Sequence, residues 1–163
     1  MEIKFMKKAL ELARYAAEIG EVPVGAVVVK RSTGEIVGSG INRRETKKSP
    51  LAHAEIEAIN EASERLGGWR LFGCDLYVTL EPCPMCAGAI INSRIDNVYF
   101  GAYDKKAGSC GSVVNLFDLP YNHFPDVNGG VMLEECSAVL SDFFKSLRNS
   151  DRPKRKKSDF GKE

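Results

Sequence analysis

Two short stretches carry the residues best equipped for chemistry. His53-Ala54-Glu55 sets an imidazole and a carboxylate two positions apart, and Pro82-Cys83-Pro84-Met85-Cys86 sets two thiols three positions apart. Thiols at i and i+3 in the opening turn of a helix share a face and can grip one ion. The unpaired N–H groups and partial positive charge of a helix N-terminus favour their thiolate forms. His53 supplies a third ligand of suitable softness. Three N/S ligands with an open fourth position is how catalytic zinc is held, whereas structural zinc takes four protein ligands. Zinc lowers the pKa of its water to about 7 in favourable sites, and a carboxylate beside it can take a proton from that water and return it to a substrate. Residues i and i+2 on a helix do not face each other. In the first turn, however, each Cα–Cβ bond tilts toward the N-terminus, so His53 and Glu55 can flank one site. This is equipment for hydrolytic attack.

Other readings of the same residues stand beside this one. Cys83 and Cys86 alone suit a redox pair, but redox chemistry accounts for neither His53 nor Glu55. Cys74 or Cys110 could complete a four-ligand structural zinc site. The five cysteines are an odd number in a chain that reads as cytosolic, which does not suit a disulfide framework.

The elements that must position these groups follow from periodicity and punctuation. Ile3, Met6, Leu10, Ala13 and Ala17 step by three and four, so 3–19 reads as an amphipathic helix ended by Gly20. Val24 to Lys30 and Glu35 to Ile41 read as a hairpin around Arg31-Ser32-Thr33-Gly34, and 42–50 as a polar loop. A helix is expected from His53 to Leu66, stopped by Gly67-Gly68. A strand follows over 76–80, then a helix opened by Pro84 and running to about Asn92. A strand begins at Val98, and the span 102–125 is loop-rich with a short helix near Val113 to Phe117. A brief strand around 131–133 and a final helix over 134–148 complete the pattern. Strands alternating with helices argue for a mixed sheet covered by helices.

With 163 residues, 44% hydrophobic and 28% charged, the chain suits one soluble domain. No apolar run approaches the ~20 residues of a membrane span. The opening MEIKFMKKAL lacks the apolar core of a signal peptide, so the expected location is cytoplasmic. The formal net charge is only +1, yet Lys145, Arg148, Arg152, Lys154, Arg155, Lys156 and Lys157 crowd one end. That asymmetry suits either a basic arm for a polyanion or a solvated tail. The expected division is a zinc-dependent domain over 1–150 and a basic tail over 151–163.

The H-x-E and P-C-x-x-C pair is the signature of the zinc nucleoside and nucleobase deaminases, the cytidine/deoxycytidylate deaminase superfamily. From about residue 4 to 148 the chain resembles the bacterial tRNA-specific adenosine deaminases. The likeness rests on Glu21-Val22-Pro23-Val24-Gly25-Ala26, Ala52-His53-Ala54-Glu55, Leu76 through Arg94, Phe100-Gly101-Ala102, Asn122-His123 and Leu140-Ser141-Asp142-Phe143-Phe144.

This resemblance implies a three-layer α/β/α fold with a mixed five-stranded sheet, a homodimer, and one Zn2+ per subunit held by His53, Cys83 and Cys86. It implies hydrolysis of adenosine to inosine at the wobble position of a tRNA anticodon stem-loop, with Glu55 as proton shuttle. Asn42 matches the family's base-contacting asparagine, Pro23, Val24, Ala54 and Leu80 would wall the pocket, and Asp104 matches a loop near the flipped nucleotide. His123, Phe143, Phe144, Lys145 and Arg148 fall where the family meets RNA. Phe124 stands where an arginine is common, which removes one phosphate contact. A free-base deaminase acting on guanine or cytosine shares the metal motif and is the alternative. A non-catalytic RNA-binding module with structural zinc is a third reading, and it leaves Glu55 without a task.

Overall fold

The computed structural model describes residues 1–151; the expected basic tail falls almost wholly outside the described residues. Five strands form one mixed sheet in the order β2-β1-β3-β4-β5. The hairpin β1 (Gly25–Lys30) and β2 (Glu35–Ile41) forms one edge, and β1 also runs antiparallel to β3 (Cys74–Leu80). Beyond it, β4 (Asn97–Ala102) and β5 (Asp126–Asn128) continue parallel to β3.

Helices cover both faces. α1 (Ile3–Glu18) and α5 (Leu133–Ser150) pack on one face, where Phe5, Met6 and Leu10 meet Val27, Tyr77 and Tyr99. α3 (Ala54–Leu66) and α4 (Pro84–Ser93) pack on the other, where Ala58, Ala62 and Ile90 meet Val28, Leu76 and Val98. Both faces of β3 are therefore buried, which explains its unbroken run of buried residues from Cys74 to Thr79. This is the three-layer arrangement that the resemblance implied.

α3 carries one end of the site, and it lies unusually close to the sheet. A Cβ on Gly40 would stand 2.2 Å from the Ala54 carbonyl oxygen, and one on Gly38 would stand 2.1 Å from that of Ala58. Glycines on β2 opposite alanines on α3 thus let the backbones approach where any side chain would collide.

Three local expectations change. The loop 42–50 contains a short helix, α2 (Arg44–Lys47), closed by Lys48 in the left-handed region at φ 49. The last strand lies at Asp126–Asn128, not around 131–133. Val131 is buried and its N–H donates to the Phe100 carbonyl, but Met132 turns left-handed (φ 52) to open α5. Its apolar character reflects burial in a turn. The helix expected near Val113 to Phe117 is a 3-10 turn at Leu116–Asp118.

Candidate metal centre and pocket

The parallel strand β3 ends at Leu80, and the chain turns at Glu81-Pro82 into α4. Cys83 is the N-cap of α4 with Pro84 at its first position, where a missing N–H costs nothing and the fixed φ suits a helix. His53 is the N-cap of α3. Two helices on the same face of the sheet thus bring their N-termini together, and the donor atoms of His53, Cys83 and Cys86 lie within 4.8 Å of one another. His53 Nδ1 is 3.5 Å from each Sγ. A tetrahedral ion with Zn–S of about 2.3 Å and Zn–N of about 2.05 Å separates such ligands by about 3.5 Å. The donor chemistry and the spacing both fit zinc. Among the described residues the group closes at these three; neither Cys74 nor Cys110 joins it as a fourth ligand.

Of the three donors only Cys83 is held in its ligating form without an ion; Cys86 and His53 must each give up a proton when a cation binds. A hydrogen bond from Cys86, and behind it His53, hold Cys83 down to about 4. Cys86 retains its proton through that same bond and through burial. The Cys83 thiolate in turn raises His53. Glu55 is 4% exposed, and burial pushes its carboxyl up to about 7. A carboxyl near neutrality can both accept and return a proton.

These groups stand at the base of a cavity of about 640 Å³. Val24, Asn42, Ala54, Leu80 and Asp104 line it as expected from sequence, with His53, Glu55 and Cys83. Pro23 is buried but does not line it; Val22 takes that place. Cys86 lies fully buried beneath. Asn42 donates through Nδ2 to the Val22 carbonyl and accepts from Arg44 N–H through Oδ1. Buried Glu21 holds α2 from below, accepting hydrogen bonds from the N–H and hydroxyl of Thr46. Asp104 accepts from Lys106 and Ala107 N–H through Oδ1, so it shapes its own loop as well as facing the cavity.

The residues expected at RNA divide. Phe144, 42% exposed, lines the cavity. Phe143 packs edge-on against it with centroids 5.6 Å apart and, like Lys145 and Arg148, is not among the lining residues. His123 lies elsewhere: its Nε2 is 2.7 Å from the Ile95 carbonyl oxygen, and its ring meets Phe72 edge-on.

Sequence reasoning missed Glu81, Tyr103 and Leu140 as pocket residues. For Glu81 a signal existed: a carboxylate directly between an apolar strand and the Pro82-Cys83 turn has few reasons to be there unless it is held. Tyr103 and Leu140 carried none, since an aromatic after a strand and a leucine on an amphipathic helix are ordinary core.

Residues 1–102 match the family model for the cytidine and deoxycytidylate deaminase zinc-binding region. A tRNA-specific adenosine deaminase of Bacillus subtilis is 50% identical over 153 residues, covering 93% of this chain and 94% of that protein. A solved structure from work on A-to-I editing by tRNA:A34 deaminases at the wobble position superposes with a TM-score of 0.82 at 46% identity, covering 85% of this chain and all of that one. Guanine deaminase from Nitrosomonas europaea superposes with a TM-score of 0.78 at 25% identity, covering 88% and 84%.

Proposed function

The chain belongs to the tRNA-specific adenosine deaminases of the cytidine and deoxycytidylate deaminase family, and from that premise we propose that it hydrolyses adenosine to inosine at the wobble position of a tRNA anticodon. The observation that carries this reading is one cavity joining the His53, Cys83 and Cys86 cluster and buried Glu55 to a rim bearing Arg44, Lys105, Lys106 and the exposed ring of Phe144. Guanine deaminase shares the fold, but a free base needs neither a cationic rim nor a stacking surface outside the pocket.

His53, Cys83 and Cys86 hold the ion, which supplies Lewis acidity that makes water nucleophilic near neutral pH. Water adds at C6 of adenine and ammonia departs. Glu55 takes one proton from the attacking water and gives it to N1 of the ring, then takes the second from the C6 hydroxyl as the carbonyl forms and gives it to the amino group, which leaves as ammonia. Val24, Ala54 and Leu80 form the apolar wall against the base, and Asn42 offers its carboxamide to it. The target base must leave its stack to enter such a cavity, and a loop nucleotide does so at little cost. Phe144 can stack on a neighbouring base, a contact worth about 1–3 kcal/mol.

The functional unit in this reading is a homodimer acting in the cytoplasm. Trp69 and Phe72, on the connection from α3 to β3, are among the large apolar side chains that stand exposed, and such side chains suit a subunit contact. Among the described residues no helix is long and apolar enough to cross a membrane.

The decisive assay is inosine formation in an anticodon stem-loop with adenosine at the wobble position, with free guanine and cytosine in parallel and ammonia as readout. Inosine is expected, falling about 10²–10⁴-fold in Glu55→Ala with zinc retained. Ammonia from a free base without inosine from the hairpin would replace this reading with the free-base one.

A further inference from the structure

One stretch of the cavity wall is a loop, and one buried side chain holds it. Tyr103, Asp104, Lys105, Lys106 and Ala107 all line the cavity. They belong to a segment with little regular structure between β4 and the 3-10 turn. Loops of this kind are ordinarily the mobile part of a fold. Glu81, 2% exposed, grips this one. Its Oε2 accepts from Asp104 N–H at 2.9 Å and from the Ser112 hydroxyl, and its Oε1 accepts from Cys110 N–H at 3.1 Å and Ser112 N–H at 3.0 Å. The backbone beside it adds two bonds, Glu81 N–H to the Ala102 carbonyl and Ser109 N–H to that of Pro82. Gly108 passes so close that a Cβ there would stand 2.3 Å from Glu81 Oε2 and 2.4 Å from the Asp104 carbonyl oxygen.

We propose that Glu81 is a positioning residue: by clamping segment 104–112 to the turn that carries Cys83, it fixes the wall bearing Asp104, Lys105 and Lys106 and thereby sets affinity for the RNA substrate. The ordering propagates through Asp104. Its N–H is held by Glu81, its carboxylate caps Lys106 and Ala107, and its carbonyl accepts from Gly108 N–H. A carboxylate is the group this task needs, because four donors converge on two oxygens. Glutamine offers one oxygen and a donating amide, so at least one of the three backbone N–H groups must lose its acceptor whichever way it turns. Holding the lysines before the substrate arrives removes an ordering cost from binding. The loss therefore belongs in KM more than in kcat.

This rests on the reading of the cavity as an RNA site, so the test has one arm that does not depend on activity. Hydrogen exchange at the amides of Asp104, Cys110 and Ser112 is compared in the zinc-loaded wild type and Glu81→Gln, and is expected to quicken by about tenfold or more. Steady-state kinetics on the anticodon stem-loop should show KM raised by about tenfold with a smaller fall in kcat and unchanged zinc content. Gly108→Ala leaves Glu81 intact but forces the loop away from it, and should give the same exchange and KM pattern; it keeps the test open should Glu81→Gln fail to fold. Unchanged exchange at the three amides overturns the proposal. So does a fall in kcat matched by zinc loss at constant KM, which would make Glu81 a support for the metal segment alone. A wild type that leaves the hairpin untouched defeats the functional reading, and the exchange arm still decides whether Glu81 clamps the loop.

Discussion

Glu55 is where burial and chemistry act on the same atoms. Its carboxyl is pushed up to about 7 from its ordinary 4.5 by desolvation, so the folded, metal-free protein binds its proton more tightly than the unfolded chain. The linked stability is fully present below pH 4.5 and is lost as pH rises toward 7, where the unfolded chain is ionised and the folded one is not. Across that window Glu55 tilts the stability of chelated protein downward with pH, while Cys83, held down to about 4, tilts it upward; in urea unfolding, Glu55→Gln, which cannot ionise, should therefore change with pH more steeply upward than the wild type. An identical slope in both proteins would place the effect elsewhere. The cysteines separate in the same way. Burial holds Cys110 up at about 12 and Cys136 at about 11, while Cys83 sits at about 4. Because the thiolate is the nucleophile, brief iodoacetamide treatment at pH 7 after chelation should mark Cys83 first, and zinc should protect it; peptide mass spectrometry reads both. Residue types and spacing made this centre legible from sequence, since His53, Glu55, Cys83 and Cys86 form a pattern few other tasks require. For Glu81 the sequence marked only an out-of-place carboxylate; its role was not legible, because its partners, three backbone N–H groups and the Ser112 hydroxyl, lie some twenty to thirty positions away and only the fold brings them to it.

At the scale of elements, the site is the meeting of two helix N-termini, and what sets their approach is the absence of side chains on β2. Gly40→Ala would drive a Cβ to 2.2 Å from the Ala54 carbonyl oxygen, in the first residue of α3 after His53. Neither backbone can yield cheaply. Overpacking of this kind costs about 1–3 kcal/mol, or a fall in Tm of several degrees for a chain of this size. Because α3 carries His53 and Glu55, zinc affinity should fall along with Tm. A comparable Tm loss with undiminished zinc affinity, measured by competition with a chelating dye, would show that the helix terminus is fixed by something other than its seat on β2. Most elements were readable from periodicity: α1, the β1–β2 hairpin, α3 and α4 all lie within two or three residues of expectation. The failures share a cause. α2 is too short to show a period and is held by Glu21, a tertiary contact. Val131 suggested a strand because it is apolar, but its burial comes from a turn packed under β4. Tertiary context decided both, and no local signal carried it.

For the molecule as a whole, the question is how a chain of net charge +1 would hold a polyanion. The answer lies in distribution. Arg44, Lys105 and Lys106 stand at one cavity mouth, and seven further cations crowd residues 145–157, five of them outside the described residues. Binding of an anticodon stem-loop should weaken with salt at a slope of about −0.7 per phosphate neutralised. Two changes then separate the contributions. Replacing Lys105 and Lys106 together by glutamine should flatten the slope by up to about 1.4 if each meets a phosphate, and should weaken binding at every salt concentration. Removing residues 152–163 should flatten it further only if the basic run takes part, and should leave it unchanged if that run is solvated charge. The two sets belong to different parts of the chain, so their effects on log Kd should add if both meet RNA. Fluorescence anisotropy with a labelled hairpin across a salt series measures all of this. A binding constant indifferent to salt in the full chain would remove the electrostatic argument for RNA. It would leave the zinc centre facing a substrate small and neutral enough to need no rim at all.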